Sequence, residues 1–332
     1  MILEATVDNI DYCTSLLQQD EIIGIPTETV YGLAGNALKE SSVRKIFQVK
    51  GRPLMDPLIV HCNHLEAVEL IAKLNDPARK LAKTFWPGPL TMVVKKNKNV
   101  PDIVTAGLNS VAVRVPQHPV FRSVLERIDF PLAAPSANPF GYVSPTLAEH
   151  VQHTLGSQIK AILDGGPCKI GIESTIIDLR DHQMPTILRY GPINSSQISD
   201  CLGFSVKTAI SEKNNDTAAQ SAPGQLTRHY SPRTSVDLLE HGCTQNKNPI
   251  VSHCDKTIAL VCNQKPKWYT GQSNIYWLSE TGNPDEIAHN LFNLIQKLDR
   301  QQFEKICIEQ VSPETIGSAI NDRLRRAAAK KS

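Results

Sequence analysis

Short apolar runs alternate with helical stripes along most of the chain. In the first 190 residues the runs at 21–26 (EIIGIP), 57–62 (PLIVHC), 90–95 (LTMVVK), 110–115 (SVAVRV), 130–135 (FPLAAP), 160–164 (KAILD), 174–179 (STIIDL) and 186–190 (TILRY) read as strands. Between them, segments 41–49, 65–74, 77–84, 119–127 and 146–155 read as helices. Pro77 and Pro119 suit a first helical turn, where a missing N–H costs nothing. Strands interleaved with helices predict an α/β domain around one sheet, with a strand order the sequence does not give. From about 206 to 232 the pattern fades into polar, small residues broken by Pro and Gly, the composition of a linker. Its end, PGQLTRHYSP, sets Arg228, His229 and Tyr230 side by side, which a passive spacer does not require. Strands resume at 234–239, 257–262, 274–279 and 305–310. A helix is expected at 284–300, with Ile287, Leu291, Leu294, Ile295 and Leu298 on one stripe and Pro284, Asp285 and Glu286 at its start. A last helix at 314–329 carries Arg323, Arg325, Arg326, Lys330 and Lys331 as a basic end. Dipole complement and solubility explain such an end, and an RNA contact is the sharper alternative.

Length and charge narrow the class. The 332 residues fit about two domains, divided as 1–205, a linker 206–233, and 234–332. Lys plus Arg total 35 against 33 for Asp plus Glu, a formal net charge of +2 that supplies no broad field for nucleic acid or membrane. No apolar run approaches the ~20 residues that span a bilayer. The start carries Glu4, Asp8 and Asp11 and lacks a basic stretch with an apolar centre, so no secretory signal is expected. Eight cysteines without a CxxC pair do not make a disulfide scaffold. A cytoplasmic protein with no membrane association is expected.

The P-loop and the glycine-rich dinucleotide fingerprint are both absent. In GIPTETVYGLAGNAL (24–38), a strand runs into Thr27, Glu28 and Thr29, then Tyr31 and Gly32. This suits a ligand-facing turn, and equally a helix start capped by Thr27 or Thr29. In VKGRPLMDPLIVHCNHL (49–65), Lys50 and Arg52 bracket Gly51. An extended backbone puts both cations on one face, as a polyphosphate needs, while a solvated basic turn is the plain alternative. His61 and His64 are too few for a metal site, with Cys62 on the opposite strand face, so no metal site is expected. Arg114 stands inside an apolar strand and needs a carboxylate, from the protein or from a ligand. In 132–146, Ser136, Asn138 and Ser144 offer small donors for phosphate oxygens, or form an ordinary turn. Segment 164–179 adds two glycines, then Glu173, Ser174 and Thr175 leading into a strand. No Ser-His-Asp or Cys-His arrangement stands out, so no covalent nucleophile is expected.

Taken in order, PTETVYGL, KGRP with PLIVH, FWPGPLT, VAVRVP, APSAN with SPT, and GIESTI resemble the YrdC-type domain. PGQLTRHYSP and a second α/β unit make the chain similar to the longer, two-domain threonylcarbamoyl-AMP synthase family. The resemblance is dense from residue 10 to about 192 and returns at 223–232; beyond that it rests mainly on position and size. It implies a twisted mixed α/β sheet with a large open cavity, followed by a linker and a small Rossmann-like α/β domain. The implied reaction joins L-threonine, bicarbonate and ATP into threonylcarbamoyl-AMP and pyrophosphate, the first step of N6-threonylcarbamoyladenosine formation in tRNA. A downstream threonylcarbamoyl-transferase complex is the implied partner. Mg²⁺ is implied with ATP, held mainly by phosphates.

By this resemblance Lys50 and Arg52 are the catalytic cations on the triphosphate. Asp56, Ser110, Ser136, Asn138, Ser144, Arg189 and Tyr230 fall at the other ATP-contact positions. Thr29, His61, Arg114, the backbone of Ala134, and Ser174 fall at threonine-contact positions. PGQLTRHYSP is implied to fold over the cavity and keep water from the product. Two positions depart from the family: Asp56 stands where Asn is frequent, and Tyr190 where Pro is usual. Direct tRNA contact is left open. The alternative is a non-catalytic RNA-binding or ribosome-associated protein, which the near-neutral charge weighs against. A carbamoyltransferase of the hydrogenase-maturation kind lacks its zinc-finger cysteines here, and a purely regulatory threonine or ATP binder would not need the retained cations.

Overall fold

The computed structural model describes residues 1–208, 220, 222–224, 229–245 and 255–329. Arg228, Lys330, Lys331 and most of the expected linker lie outside the described residues. The chain opens with β1 (Ile2–Glu4) and α1 (Val7–Gln18), neither among the expected elements. Then come β2 (Ile23–Ile25), β3 (Gly32–Asn36), α2 (Glu40–Lys50), β4 (Ile59–His61), α3 (Leu65–Glu69), β5 (Ala72–Lys73), α4 (Asp76–Phe85), β6 (Leu90–Lys96), β7 (Ser110–Arg114) and α5 (Pro119–Leu125). β8 (Leu132–Ala133), α6 (Ala148–Leu155), β9 (Ile162–Asp164), β10 (Thr175–Asp178), β11 (Thr186–Arg189), α7 (Ser195–Leu202) and β12 (Lys207–Thr208) follow. β13 (Ser235–Leu239), β14 (Ile258–Gln264), β15 (Ile275–Ser279), α8 (Pro284–Asp299), β16 (Lys305–Glu309) and α9 (Gly317–Ala328) end the described chain.

Caps explain several boundaries. Thr6 accepts from the Asn9 amide at the head of α1. Asn75 accepts from the Ala78 amide above Pro77, and Asn283 accepts from Asp285 and Glu286 above Pro284. The expected helix at 65–74 is a correction: α3 ends at Glu69, and Ala72 and Lys73 pair antiparallel with Lys96 and Lys95. Val68, Ile71 and Ala72 are buried in either arrangement, so their spacing does not separate a long helix from a short helix and an edge strand.

The first sheet is mixed, in the order β1-β9-β2-β3-β8-β4-β7-β6-β10-β11-β12, with β5 on β6. The expected twisted mixed α/β architecture is therefore present. Residues alternate across this sheet: Ile23, Ile25 and Ala34 meet α1 and α5, while Ile22 and Leu33 meet the opposite core with α2, α4 and α6. A third patch, Ile59, Val93, Ala112, Ile176 and Leu188, is capped by Ala222 rather than by a helix. The second sheet is all parallel, in the order β13-β16-β14-β15.

The two sheets share an apolar core. Val30, Val143 and Ile172 from the first unit join Tyr230 and the α8 stripe of Ile287, Leu291, Phe292 and Ile295. Polar bonds sew the same seam: Tyr142 donates to Asp299, and Gln296 donates to the Ser144 carbonyl at 3.1 Å. Gly171, with φ +85°, lies so close to α8 that an added Cβ would stand 2.5 Å from the Ala288 carbonyl oxygen. Gly171→Ala should destabilise the chain by about 1–3 kcal/mol, read as a lower melting temperature with faster proteolysis between the sheets. An unchanged melt would show that the seam is slack.

His150 is 1% exposed and accepts the Thr146 amide on Nδ1. Burial, then the nearby Arg300 charge, pushes its pKa down to about 4. An unfolded histidine titrates near 6.5, so from pH 6.5 down to 4 the unfolded chain binds a proton that the native chain refuses. Stability from this group is complete above 6.5 and falls with pH, by at most about 1.4 kcal/mol per unit. His150→Asn, which keeps an acceptor, should lose less stability between pH 7 and 4.5 in urea titrations. An equal loss would refute the neutral buried histidine.

Candidate functional site

The uncovered face of the first sheet forms a cleft. Its described lining includes Thr27, Thr29, Arg52, His61, Arg114, Ala134, Ser136, Glu173, Ser174, Arg189, His229 and Tyr230. It encloses about 540 Å³ of space including its mouth, but Pro223, Gly224, His229 and Tyr230 crowd it, so water centres have only about 50 Å³ to occupy. A larger crevice, with His241, Asn263, Glu309 and Thr315, lies in the second unit and has no lysine or arginine among its described lining.

PTETVYGL is a turn between antiparallel β2 and β3. Thr27 Oγ1 accepts from the Thr29 and Val30 amides and donates to the Val30 carbonyl. The turn reading therefore holds and the helix-cap reading does not. Lys50 and Arg52 are not on an extended segment, which is a second correction. Lys50 ends α2, Gly51 takes the left-handed C-cap at φ 60°, and Arg52 begins the next loop. Neither forms a solvated turn, since they are 3% and 7% exposed.

Each cation is held by oxygen atoms. Lys50 Nζ donates to the Ser136 and Asn138 carbonyls, both at 2.6 Å. Arg52 donates to the Asp56 and Pro57 carbonyls, and its Nη2 lies 2.9 Å from Asp56 Oδ1. That last contact lacks hydrogen-bond alignment, leaving both Asp56 carboxylate oxygens without a hydrogen bond among the described residues. Arg189 donates to the Ser174 carbonyl and hydroxyl and, at 3.4 Å, to the Pro223 carbonyl. Burial, then the Arg52 charge, pulls the Lys50 pKa well below the lysine range. Burial raises Asp56 against the pull of Arg52, Lys50 and Arg189.

Arg114 finds a protein carboxylate: Nη2 donates to Glu28 Oε1 at 2.6 Å and Nη1 to Thr29 Oγ1 at 3.0 Å. The second Glu28 oxygen accepts from the Gln117 amide. Beside it, burial and then the Arg114 charge push His61 down to about 3, so the imidazole is neutral. His61 Nδ1 has no hydrogen-bond partner among the described residues. His64 caps α3 instead of joining it. Among the described residues no three His, Cys, Asp or Glu side chains converge as metal ligands.

The structure thus brings Thr29, Arg52, His61, Arg114, Ala134, Ser136, Ser174, Arg189 and Tyr230 to one cleft. Lys50, Asp56, Asn138 and Ser144 are buried but outside its lining, as is Ser110, at the far end of β7 from Arg114. Sequence reasoning did not select Glu28 and Glu173 as site residues, although both lie in the stretches it singled out. It also misread Arg323 as part of an exposed basic end. Arg323 is 1% exposed and donates to Glu173, and Arg326 donates to Asp322. Only a buried acid across the interface could have signalled this, and it lies 150 residues away.

A family model described as "Telomere recombination" matches residues 15–191, and one described as "Threonylcarbamoyl-AMP synthase, C-terminal domain" matches 193–329. The threonylcarbamoyl-AMP synthase of Pyrococcus abyssi (strain GE5 / Orsay) is 38% identical over 320 residues, 94% of this chain and 92% of that protein. That of Bacillus subtilis (strain 168) is 34% identical over 319 residues, 95% of this chain and 91% of that protein. The crystal structure of P. abyssi Sua5 complexed with L-threonine matches with a TM-score of 0.90 at 35% identity, covering 99% of this chain and 97% of that one. E. coli YciO shares the fold over 57% of this chain and 94% of its own, with a TM-score of 0.52 at 21% identity. Both halves of the sequence and the whole fold agree, and the chain belongs to the threonylcarbamoyl-AMP synthase family.

Proposed function

We propose that this chain makes L-threonylcarbamoyl-AMP from L-threonine, bicarbonate and ATP, with release of pyrophosphate, as the first step of N6-threonylcarbamoyladenosine formation in tRNA. The observation that carries this reading is the set of buried cations around one cleft, two of which, Lys50 and Arg189, hydrogen-bond only to carbonyl and hydroxyl oxygens among the described residues. The threonine amine adds to bicarbonate to give a carbamate with loss of water. The carbamate oxygen then attacks the α-phosphorus in line, and the bond to pyrophosphate breaks. No protein nucleophile is needed; positioning and positive charge carry the step.

In this reading Arg52 and Lys50 hold the triphosphate, Lys50 also fixing the 136–138 loop through its carbonyls. Ser136, Asn138, Ser144, Ser110, Asp56, Arg189 and Tyr230 complete the nucleotide site. Thr29, His61, Arg114, Ala134 and Ser174 receive threonine, with Arg114 shared between its carboxylate and Glu28. Mg²⁺ enters with ATP, its ligands mainly phosphate oxygens. Residues 1–205 form the catalytic unit, 206–233 the linker over the cleft, and 234–332 the C-terminal unit. The product passes to a threonylcarbamoyl-transferase complex, in the cytoplasm. Among the described residues no helix is long and apolar enough to cross a membrane.

Pyrophosphate release should require ATP, bicarbonate and L-threonine together, and fall when L-serine replaces threonine. Release without threonine would overturn the reading. Lys50→Met keeps the stem and removes the charge; turnover should drop about 100- to 1,000-fold with the fold retained by circular dichroism. Full activity in that variant would remove Lys50 from the phosphate site. Arg114→Ala should raise the threonine KM about 10- to 100-fold. It also strands Glu28, at a stability cost of about 3–5 kcal/mol, so KM is measured below its melting temperature; an unchanged threonine KM there sinks the carboxylate role.

A further inference from the structure

The last helix carries a side chain of the C-terminal unit into the cleft wall. Arg323, on α9, is 1% exposed. Its Nε donates to Glu173 Oε2 at 2.9 Å, and its Nη1 donates to Asp322 Oδ2 at 3.0 Å. The guanidinium carbon lies 5.3 Å from the centre of the Tyr230 ring, within cation–π reach. Ser144 Oγ donates to the remaining Glu173 oxygen. Glu173 and Tyr230 both line the cleft, and they come from distant parts of the chain. One guanidinium therefore bears on two walls.

Stability alone gives weak grounds for such an arrangement, because a buried ion pair can often be replaced by apolar residues at no loss. Its place gives stronger grounds. Glu173 is the one carboxylate among the described lining residues, which also include Arg52, Arg114 and Arg189. Arg189 is bonded to Ser174, the next residue. A Glu173 side chain released from Arg323 would be free to pair with Arg189, which already feels its charge and whose hydrogen bonds go only to carbonyl and hydroxyl oxygens among the described residues.

We propose that Arg323 is a positioning residue for ATP: it holds the Glu173 carboxylate away from the phosphate-binding cations and seats the Tyr230 ring against the cleft. The C-terminal unit thereby sets the charge of the catalytic cavity. This rests on the synthase reading above for the identity of the anion.

The test uses the full chain and α,β-methylene-ATP, whose binding is followed by calorimetry apart from turnover. Arg323→Met should weaken binding at least 10-fold and raise the ATP KM more than the threonine KM. Adding Glu173→Gln to Arg323→Met should return nucleotide affinity to within about threefold of the starting protein, because the competing carboxylate is gone. A merely structural pair would weaken both substrates alike and would not be rescued. If Arg323→Met binds as tightly as the starting protein, or the double variant stays weak, the proposal is overturned. Should Arg323→Met fail to fold, Arg323→Lys, which keeps the charge but loses the fork, should bind 3- to 10-fold more weakly; unchanged binding there overturns it equally. A chain that binds the analogue but releases no threonine-dependent pyrophosphate would refute the synthase reading while leaving the role of Arg323 decided by these affinities.

Discussion

Positive charge buried around one cleft is the constraint on which the rest of the structure depends. Lys50, Arg52, Arg114, Arg189 and Arg323 are each no more than 7% exposed. Asp56 accompanies Arg52, Glu28 accompanies Arg114, and Glu173 with Asp322 accompanies Arg323. Lys50 and Arg189 have only carbonyl and hydroxyl oxygens as hydrogen-bond partners among the described residues. Removing an ion from water costs several kcal/mol, and dipoles offset only part of that. The imbalance is expressed as lowered pKa values, with burial the first cause at both Lys50 and Arg189. A bound polyanion would favour the charged forms. The low dielectric that makes these cations costly to bury also strengthens their pull on any anion that enters the cleft.

The fold meets this constraint with backbone as much as with side chains. Lys50 is fixed at a helix end by two carbonyls of the 136–138 loop, which ties α2 to that loop. Arg52 is fixed by the carbonyls of Asp56 and Pro57, within its own loop. Arg189 leaves the end of β11 and holds Ser174 at the head of β10. None of these side chains has to be ordered when a ligand arrives, so less entropy is lost on binding. Position, rather than a reactive group, is then what the protein contributes to an in-line displacement.

Much of this was legible in the chain. Short apolar runs marked the central strands because strands buried on both faces carry them uninterrupted, and Pro or Asn marked several helix starts. Strand β3 escaped because GLAGN is small and glycine-rich, without the branched side chains that signal a strand. Helix α1 escaped because Val7, Asp8, Asn9 and Asp11 dilute its stripe, although Ile10, Cys13, Leu16 and Leu17 are buried. Seven of the nine selected residues that meet in the cleft, Thr29, His61, Arg114, Ala134, Ser136, Ser174 and Arg189, lie in short motifs at or near strand ends, where local sequence marks the turn, while Arg52 follows a helix C-cap and Tyr230 precedes the second sheet. Pairings across long separations were not legible. Glu28 with Arg114 and Glu173 with Arg323 are set by sheet order and domain docking, and neither leaves a periodic trace.

His229 and Tyr230 show the same dependence in reverse. Tyr230 adopts φ +61°, a left-handed backbone that costs of order 1–3 kcal/mol for such a residue. It persists because its ring is fully buried, stacked 5.6 Å from Phe292 and lying beneath Arg323. The backbone conformation at Tyr230 is therefore held by contacts with the C-terminal unit. Burial, then the charges of Arg52, Lys50 and Arg189, drives the His229 pKa far down, so a neutral ring stands among these cations. With Pro223, Gly224, His229 and Tyr230 in place, little room remains for water. For a mixed carboxylic–phosphoric anhydride, exclusion of water sets how long the product survives. Under the proposed reaction the cations on the triphosphate come from the first unit, while the survival of the product is governed from the second.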